Sequence, residues 1–209
     1  RSVAERTDTV TLPERIVVAS ANPKKAAELA ELLSSLPVEV LPRPPDVPDV
    51  VEDGDTFEDN ARLKAVALAA ATGEVALADD SGLQVDALDG APGVHSARFA
   101  GESATDADNV TLLLAELDRR RATDASQRTA RFRCVLVLRW PDGRELVTEG
   151  AVEGRIAPVP SGDGGFGYDP VFVPTEGDGR TFAAMTGAEK QAISHRGRAL
   201  RDLVRRLAD

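Results

Sequence analysis

Cysteine is nearly missing from this chain. Its 209 residues include one, Cys134, set inside the strand-like run from Arg131 to Leu138, so an internal disulfide scaffold is excluded and a reducing compartment is expected. The two histidines stand in no Cys/His zinc spacing and complete no Ser-His-Asp arrangement. Positive charge is the scarcer sign, with 25 lysines and arginines against 35 acids and a formal net charge of −10. A phosphate polymer demands a basic face, so general nucleic-acid binding is disfavoured, and a small anionic ligand must be held by local cations or a metal. No apolar run approaches the ~18 residues of a membrane span, and no signal-peptide order of charged, apolar and small residues opens the chain. The expectation is a cytoplasmic protein that binds neither membrane nor polymeric nucleic acid. The glycines of a Walker phosphate loop are absent as well.

What is present suffices for one well-filled core. Residues 1–14 are polar and aperiodic and read as a flexible leader, with 15–209 as a single domain. Arg15 to Ala19 is β-branched and apolar, a buried strand, and Asn22-Pro23 then marks a helix start as N-cap and first turn. A short strand at Val38 to Leu41 precedes a proline-rich loop. Thr56 with Asp59 opens a helix that Gly73 closes after about Thr72. Val75 to Ala78 reads as a strand ended by a turn at Asp79-Asp80-Ser81-Gly82. A helix over Thr105 to Arg121 follows. Pro141-Asp142-Gly143 joins two long antiparallel strands, Thr129 to Trp140 and Arg144 to Ile156. After a short strand at Val171 to Val173, Thr186 caps a last helix running to about Ala208. An α/β start with an antiparallel addition makes an α/β fold with a mixed sheet.

Several stretches carry candidate chemistry. Neighbouring strand residues point to opposite faces, so of Asp79 and Asp80 one can face a ligand while the other braces the backbone. The helix from Thr56 feeds directly into that strand, so an acid before its start, in Glu52-Asp53-Gly54-Asp55, can approach an acid at the strand's far end. Oxygen ligands from two segments suit a hard cation such as magnesium. Lys24 and Lys25 lie in the first turn of a helix whose dipole already makes that end positive; they are either solvated or facing an anion such as phosphate. Aromatics are scarce, yet Phe166 and Tyr168 share the glycine-rich run Ser161 to Pro170, which is either a flexible loop or a stacking face. The last helix bears Lys190 and Ser194 on one face, with His195 and Arg196 beside them.

Five ordered blocks, SANPKKAAELAELL, GDTFEDNARLKA, LADDSGLQVDALDGAPGVHSARFAG, GFGYDPVF and EKQAISHRGRAL, together resemble the inosine triphosphate pyrophosphatase family of the Ham1 type, the XTP/dITP diphosphatases of noncanonical purine nucleotides. The resemblance runs from Ile16 to Leu207. It implies an elongated mixed sheet flanked by helices, in two lobes around a central substrate cleft, and a homodimer working with Mg2+. It implies hydrolysis of ITP, dITP and XTP between the α and β phosphates to monophosphate and pyrophosphate. By the same resemblance Asp80 is the general base and Glu52 with Asp80 hold the metal, with Asp79 in support. Ser20, Ala21, Asn22, Pro23, Lys24 and Lys25 match the triphosphate-contacting segment, and Ser81 a further substrate contact. Phe166, Gly167, Tyr168 and Asp169, with Lys190, His195 and Arg196, match the nucleotide and base site. The family's first block commonly reads Thr-x-Asn-x-Gly-Lys; here Ser20 keeps the hydroxyl, and Lys24 puts a cation at the glycine position. The alternatives are a Maf-like pyrophosphatase acting on pyrimidine or other modified nucleotides, and a nucleotide-binding module without turnover.

Overall fold

The computed structural model describes residues 12–20, 22–34 and 36–208. In chain order its main elements are β1 (Arg15–Val18), α1 (Pro23–Leu33), β2 (Glu39–Pro42), α2 (Phe57–Thr72), β3 (Val75–Val85), α3 (Asp106–Arg119), β4 (Thr129–Arg139), β5 (Glu145–Ile156), β6 (Phe172–Pro174), α4 (Gly187–Ile193) and α5 (His195–Ala208). The expected leader lies almost wholly outside the described residues.

Six strands form one sheet in the order β2-β1-β3-β4-β5-β6. β1 runs parallel to both β2 and β3, and every later pairing is antiparallel. The sheet is therefore mixed, as expected. Three apolar clusters fill it. One lies under α1 and α5 and contains Leu29, Leu33, Leu77, Leu136, Leu200 and Leu203. A second lies under α2 on the other face, built from Ala61, Ala65, Leu68, Ala76 and Val137. A third sits at the far end of the long strands, where Leu83 and Val85 meet Leu113, Leu117, Phe132 and Phe172. β3 thus leaves the first two clusters with Ala78 and enters the third with Leu83. The acids lie at the crossing.

The expected turn at Asp79-Asp80-Ser81-Gly82 is a correction. β3 continues through it unbroken, with Asp79 opposite Leu136, Asp80 opposite Val135 and Gly82 opposite Arg133. Turn propensity is a local preference, and a long apolar partner strand outweighs it. Gly82 serves another purpose: a side chain there would collide with the Gly93 carbonyl and come within 2.6 Å of Ser96 Oγ. That hydroxyl is committed to the strand, accepting the Leu83 N–H at 2.9 Å and donating to the Gly93 carbonyl at 2.6 Å.

The last helix is a second correction, because it is two. Ser194 closes α4 with an extended backbone (φ −68°, ψ 154°), and its hydroxyl accepts the Gly197 N–H at 3.1 Å, which starts α5. Serine at such a point replaces a lost helical bond with a side-chain one. α5 then lies close on β5. At Gly150 the helix backbone is so near that an added Cβ would strike His195 and come within 2.5 Å of Ala199 N.

Candidate active site

The two neighbouring acids divide as strand geometry requires. Asp79, 3% exposed, turns toward α1 and α5, with Lys25 Nζ at 3.7 Å and Arg196 Nη2 at 3.4 Å from its Oδ2. Burial opposes its charge, but Lys25, Arg196 and Lys64 outweigh burial and hold the carboxyl well below the usual carboxylate range. Asp80, 6% exposed, faces α2 instead. Its Oδ1 accepts the Ser81 N–H at 2.9 Å, its Oδ2 accepts from Asn60 Nδ2 at 3.2 Å, and Lys64 Nζ stands 3.9 Å away. Burial pushes this carboxyl up; Lys64 and Lys25 pull it down and Glu52 raises it again, leaving it above the ordinary value. One acid is a fixed anion and its neighbour a more basic carboxylate suited to taking a proton.

Asp80 opens on a cavity of about 360 Å3 between α1, α2 and the loop after β2. α1 reaches it with the geometry its sequence announces. Asn22 Oδ1 accepts the N–H groups of Lys24 and Lys25, at 3.0 and 3.3 Å, and Pro23 is the first helical residue. Two lysines at a helix start cost about 0.3–1 kcal/mol each. Burying Leu29 and Leu33 contributes about 1.5–3 kcal/mol apiece, so the helix forms regardless. The Glu52 carboxylate accepts from Lys64 Nζ at 3.1 Å, and its backbone carbonyl from Arg98 Nη2 at 3.3 Å. A single ammonium, Lys64, therefore touches both Glu52 and Asp80.

A second cavity of about 100 Å3 adjoins the first, with Asn22, Lys25, Ser81 and Ala97 common to both linings. Its floor is the Phe166 loop. The Phe166 N–H donates to Asp169 Oδ2 at 2.9 Å and the Gly167 N–H to Asp106 Oδ2 at 2.8 Å, so two carboxylates pin the backbone on either side of the ring. Gly165 makes this possible: at φ +70° and hard against the Asp169 carboxylate, it leaves no room for a side chain. Lys190 Nζ donates to Asp169 at 2.7 Å and lies 4.8 Å from the Phe166 ring centre. Arg196, 2% exposed, donates to Ser81 Oγ at 3.1 Å, to Asp79 and, through Nη1, to Glu28 Oε2. His195 stacks on Phe132, with ring centres 4.8 Å apart and planes 11° from parallel. Burial, then repulsion from Arg196, Lys190 and Lys25, holds the imidazole neutral, well below its ordinary value. Tyr168 Oη donates to the Ser96 carbonyl at 2.9 Å, so its hydroxyl braces the wall.

The residues expected from the sequence fall into two groups. Ser20, Glu52 and Asp80 line the larger cavity; Phe166, Gly167, Tyr168, Asp169, Lys190, His195 and Arg196 line the smaller one; Asn22, Lys25 and Ser81 line both. Pro23 and Lys24 line neither. Lys24 instead crosses to the glycine loop and donates to the Gly165 carbonyl at 3.3 Å. Ala21 lies outside the described residues. Sequence reasoning passed over Lys64, Asn60, Glu28, Asp106 and Phe132. Lys64 and Asn60 could have been found as polar residues three to four positions apart on the face of α2 that packs inward. Glu28 looks like any polar helix residue and gave no signal.

The geometry has close counterparts. In solved structures, the Ham1 protein of Coxiella burnetii superposes with a TM-score of 0.85 at 45% identity, covering 93% of this chain and 98% of that one. A nucleoside-triphosphatase, dITP/XTP pyrophosphatase, of Mycobacterium abscessus superposes at 0.73 with 48% identity, covering 91% and 98%. Among characterised sequences, the dITP/XTP pyrophosphatase of Nitratidesulfovibrio vulgaris is 50% identical over 197 residues, 90% of this chain and 93% of its own. The model of the Ham1 family matches residues 16–206, and this chain belongs to the Ham1 family.

Proposed function

We propose that this chain hydrolyses the triphosphates of deaminated purines, ITP, dITP and XTP, between the α and β phosphates, releasing monophosphate and pyrophosphate and so cleansing the nucleotide pool. The observation that carries this reading is the joining of two unlike cavities by Asn22, Lys25 and Ser81. The larger is charged and equipped with a basic carboxylate; the smaller is lined by aromatic rings and sized for a flat ring. A nucleoside triphosphate has one part for each. The relatives described as dITP/XTP pyrophosphatases support the same choice, and nothing in them supports the Maf-like alternative.

In this reading Asp80 takes a proton from the attacking water. One phosphorus–oxygen bond forms to that water and the bond to the bridging oxygen breaks, while Lys25 and the α1 tip neutralise the phosphate tail. Glu52 and Asp80 would hold a divalent metal, magnesium by the chemistry of the donors. Hard oxygens fit it, and the ammonium already shared by the two carboxylates shows that a cation between them is tolerated. Among the described residues no cage of three or more acids, histidines or cysteines exists, which suits an ion that keeps water and phosphate oxygens in its shell. Such an ion supplies charge neutralisation across the phosphates. For the base, Phe166 offers stacking. Arg196 Nε is a buried donor without a hydrogen-bond partner, which favours a 6-oxo acceptor and penalises adenine's amino group. A homodimer in the cytoplasm completes the proposal; no helix among the described residues is long and apolar enough to cross a membrane.

The test is a substrate panel with magnesium and pyrophosphate detection. ITP, dITP and XTP are expected to turn over faster than ATP and GTP, about a hundredfold faster in the case of ATP, in keeping with the penalty for a mispaired buried donor; GTP shares the 6-oxo group, so its slower turnover has to come from its 2-amino group. Equal rates on all five would overturn the reading. Asp80→Asn is expected to lower kcat by about a thousandfold, within the range of a lost general base. Hydrolysis in oxygen-18 water, with the label located in one product, identifies the phosphorus attacked.

A further inference from the structure

Lys64 occupies an unusual position. Its ammonium, on a side chain 15% exposed, is 3.1 Å from Glu52 Oε2 and 3.9 Å from Asp80 Oδ1. Those are the two carboxylates assigned above to the metal. Burial disfavours the lysine charge, yet Asp79, Asp80 and Glu52 together raise its proton affinity above the ordinary value. By geometry it is a cation set between two carboxylates. The other acids of the cavity are already engaged: Asp79 with Lys25 and Arg196, and Asp49 with Arg43. Asp80 is held from two further sides by Asn60 and the Ser81 N–H, so it cannot swing away to free itself from Lys64.

We infer that Lys64 is an exchangeable counter-ion that keeps the carboxylate pair closed to free divalent cations until the triphosphate arrives. An ion entering alone must displace the ammonium from Glu52 and Asp80, and the cavity offers Lys64 no other unengaged acid. When a triphosphate comes in with its metal, the phosphate oxygens give Lys64 a new partner of the same sign as the one it gives up. Displacement and delivery then happen together, and nucleotide and metal bind as strongly coupled ligands. Lys64 is thus a positioning residue whose first task is to make metal occupancy conditional on substrate. This inference rests on the assignment of Glu52 and Asp80 as the metal's carboxylates.

The test reads metal binding without turnover. Mn2+ affinity is measured by calorimetry and by electron paramagnetic resonance, with and without the α,β-methylene analogue of ITP, on the intact protein and on Lys64→Met, Lys64→Gln and Lys64→Arg. The intact protein is expected to bind Mn2+ at least tenfold more tightly in the presence of the analogue. Lys64→Met and Lys64→Gln are expected to bind Mn2+ alone at least tenfold more tightly than the intact protein, with a smaller gain on adding the analogue. Lys64→Arg, which keeps the charge, is expected to stay weak. The inference is overturned if the neutral variants bind Mn2+ alone no better than the intact protein, or if the intact protein binds Mn2+ equally well with and without analogue. That second arm needs no variant, so a substitution that fails to fold leaves the idea exposed. Absence of ITP hydrolysis by the intact protein would sink the proposed activity and leave the Mn2+ comparison standing.

Discussion

The two cavities of this protein are built on opposite terms. In the larger one, the charges at the rim are held by partly solvated contacts, such as Glu52 on Lys64 and Arg98 on Glu102 and a backbone carbonyl. In the smaller one, cations are buried and held several ways at once: Arg196 by Asp79, Glu28 and Ser81, and Lys190 by Asp169 and Glu28. Ion pairs near solvent are worth little and exchange readily, whereas buried ones are stiff and expensive to break. A site that must accept and release a highly charged chain needs the first kind. One that must tell two purines apart by a hydrogen bond needs donors that cannot rearrange to suit the wrong partner.

That contrast can be broken by experiment. The largest effect is expected at Arg196→Met, which leaves the buried Asp79 and the half-buried Glu28 with too few partners. Losing one member of a buried network costs about 3–5 kcal/mol, or a melting temperature lower by roughly 10 °C in a chain of this size. A thermal scan showing no change would mean the smaller cavity is no stiffer than the larger one. Phe166→Ala comes next. A base-stacking ring contributes about 1–3 kcal/mol, so KM for ITP and for ATP should rise together by tenfold or more, with their ratio nearly unchanged. A change in the ratio would give the ring a part in base choice that stacking alone cannot have. The smallest effect concerns His195. Folded His195 stays neutral, so as pH falls below 6.5 only the unfolded chain gains this proton. Its contribution to stability is therefore complete above that pH and is lost below it, by up to about 1.4 kcal/mol per pH unit. Urea unfolding between pH 7 and about pH 5 should show that slope in the parent and a shallower one in His195→Gln.

Much of the frame is readable in the sequence because its causes are local. Thr56 and Gly73 bound α2 as cap and left-handed stop, with Gly73 at φ +69°, and the Pro141-Asp142-Gly143 turn joins β4 to β5 where expected. The misreadings share one physical origin. Asp79 to Gly82 has the composition of a turn, but its conformation is decided by β4, more than fifty residues downstream. Ser194 sits within a helical apolar stripe that continues on both sides of it, so periodicity passes over a break set by one hydroxyl. Among the site residues, those marked by an odd local chemistry, such as adjacent acids or aromatics among glycines, stand out. Lys64 and Glu28 do not, since a charged residue on a helix is ordinary until tertiary structure places it between two carboxylates or under a guanidinium.

At Gly150 the start of α5, with His195 and Arg196, lies almost directly on the backbone of β5. Even a methyl group there would act as a wedge, tipping the helix and shifting two walls of the smaller cavity from a position that lines neither cavity. Loss of discrimination between oxo and amino purines could thus originate in a residue that never meets the nucleotide.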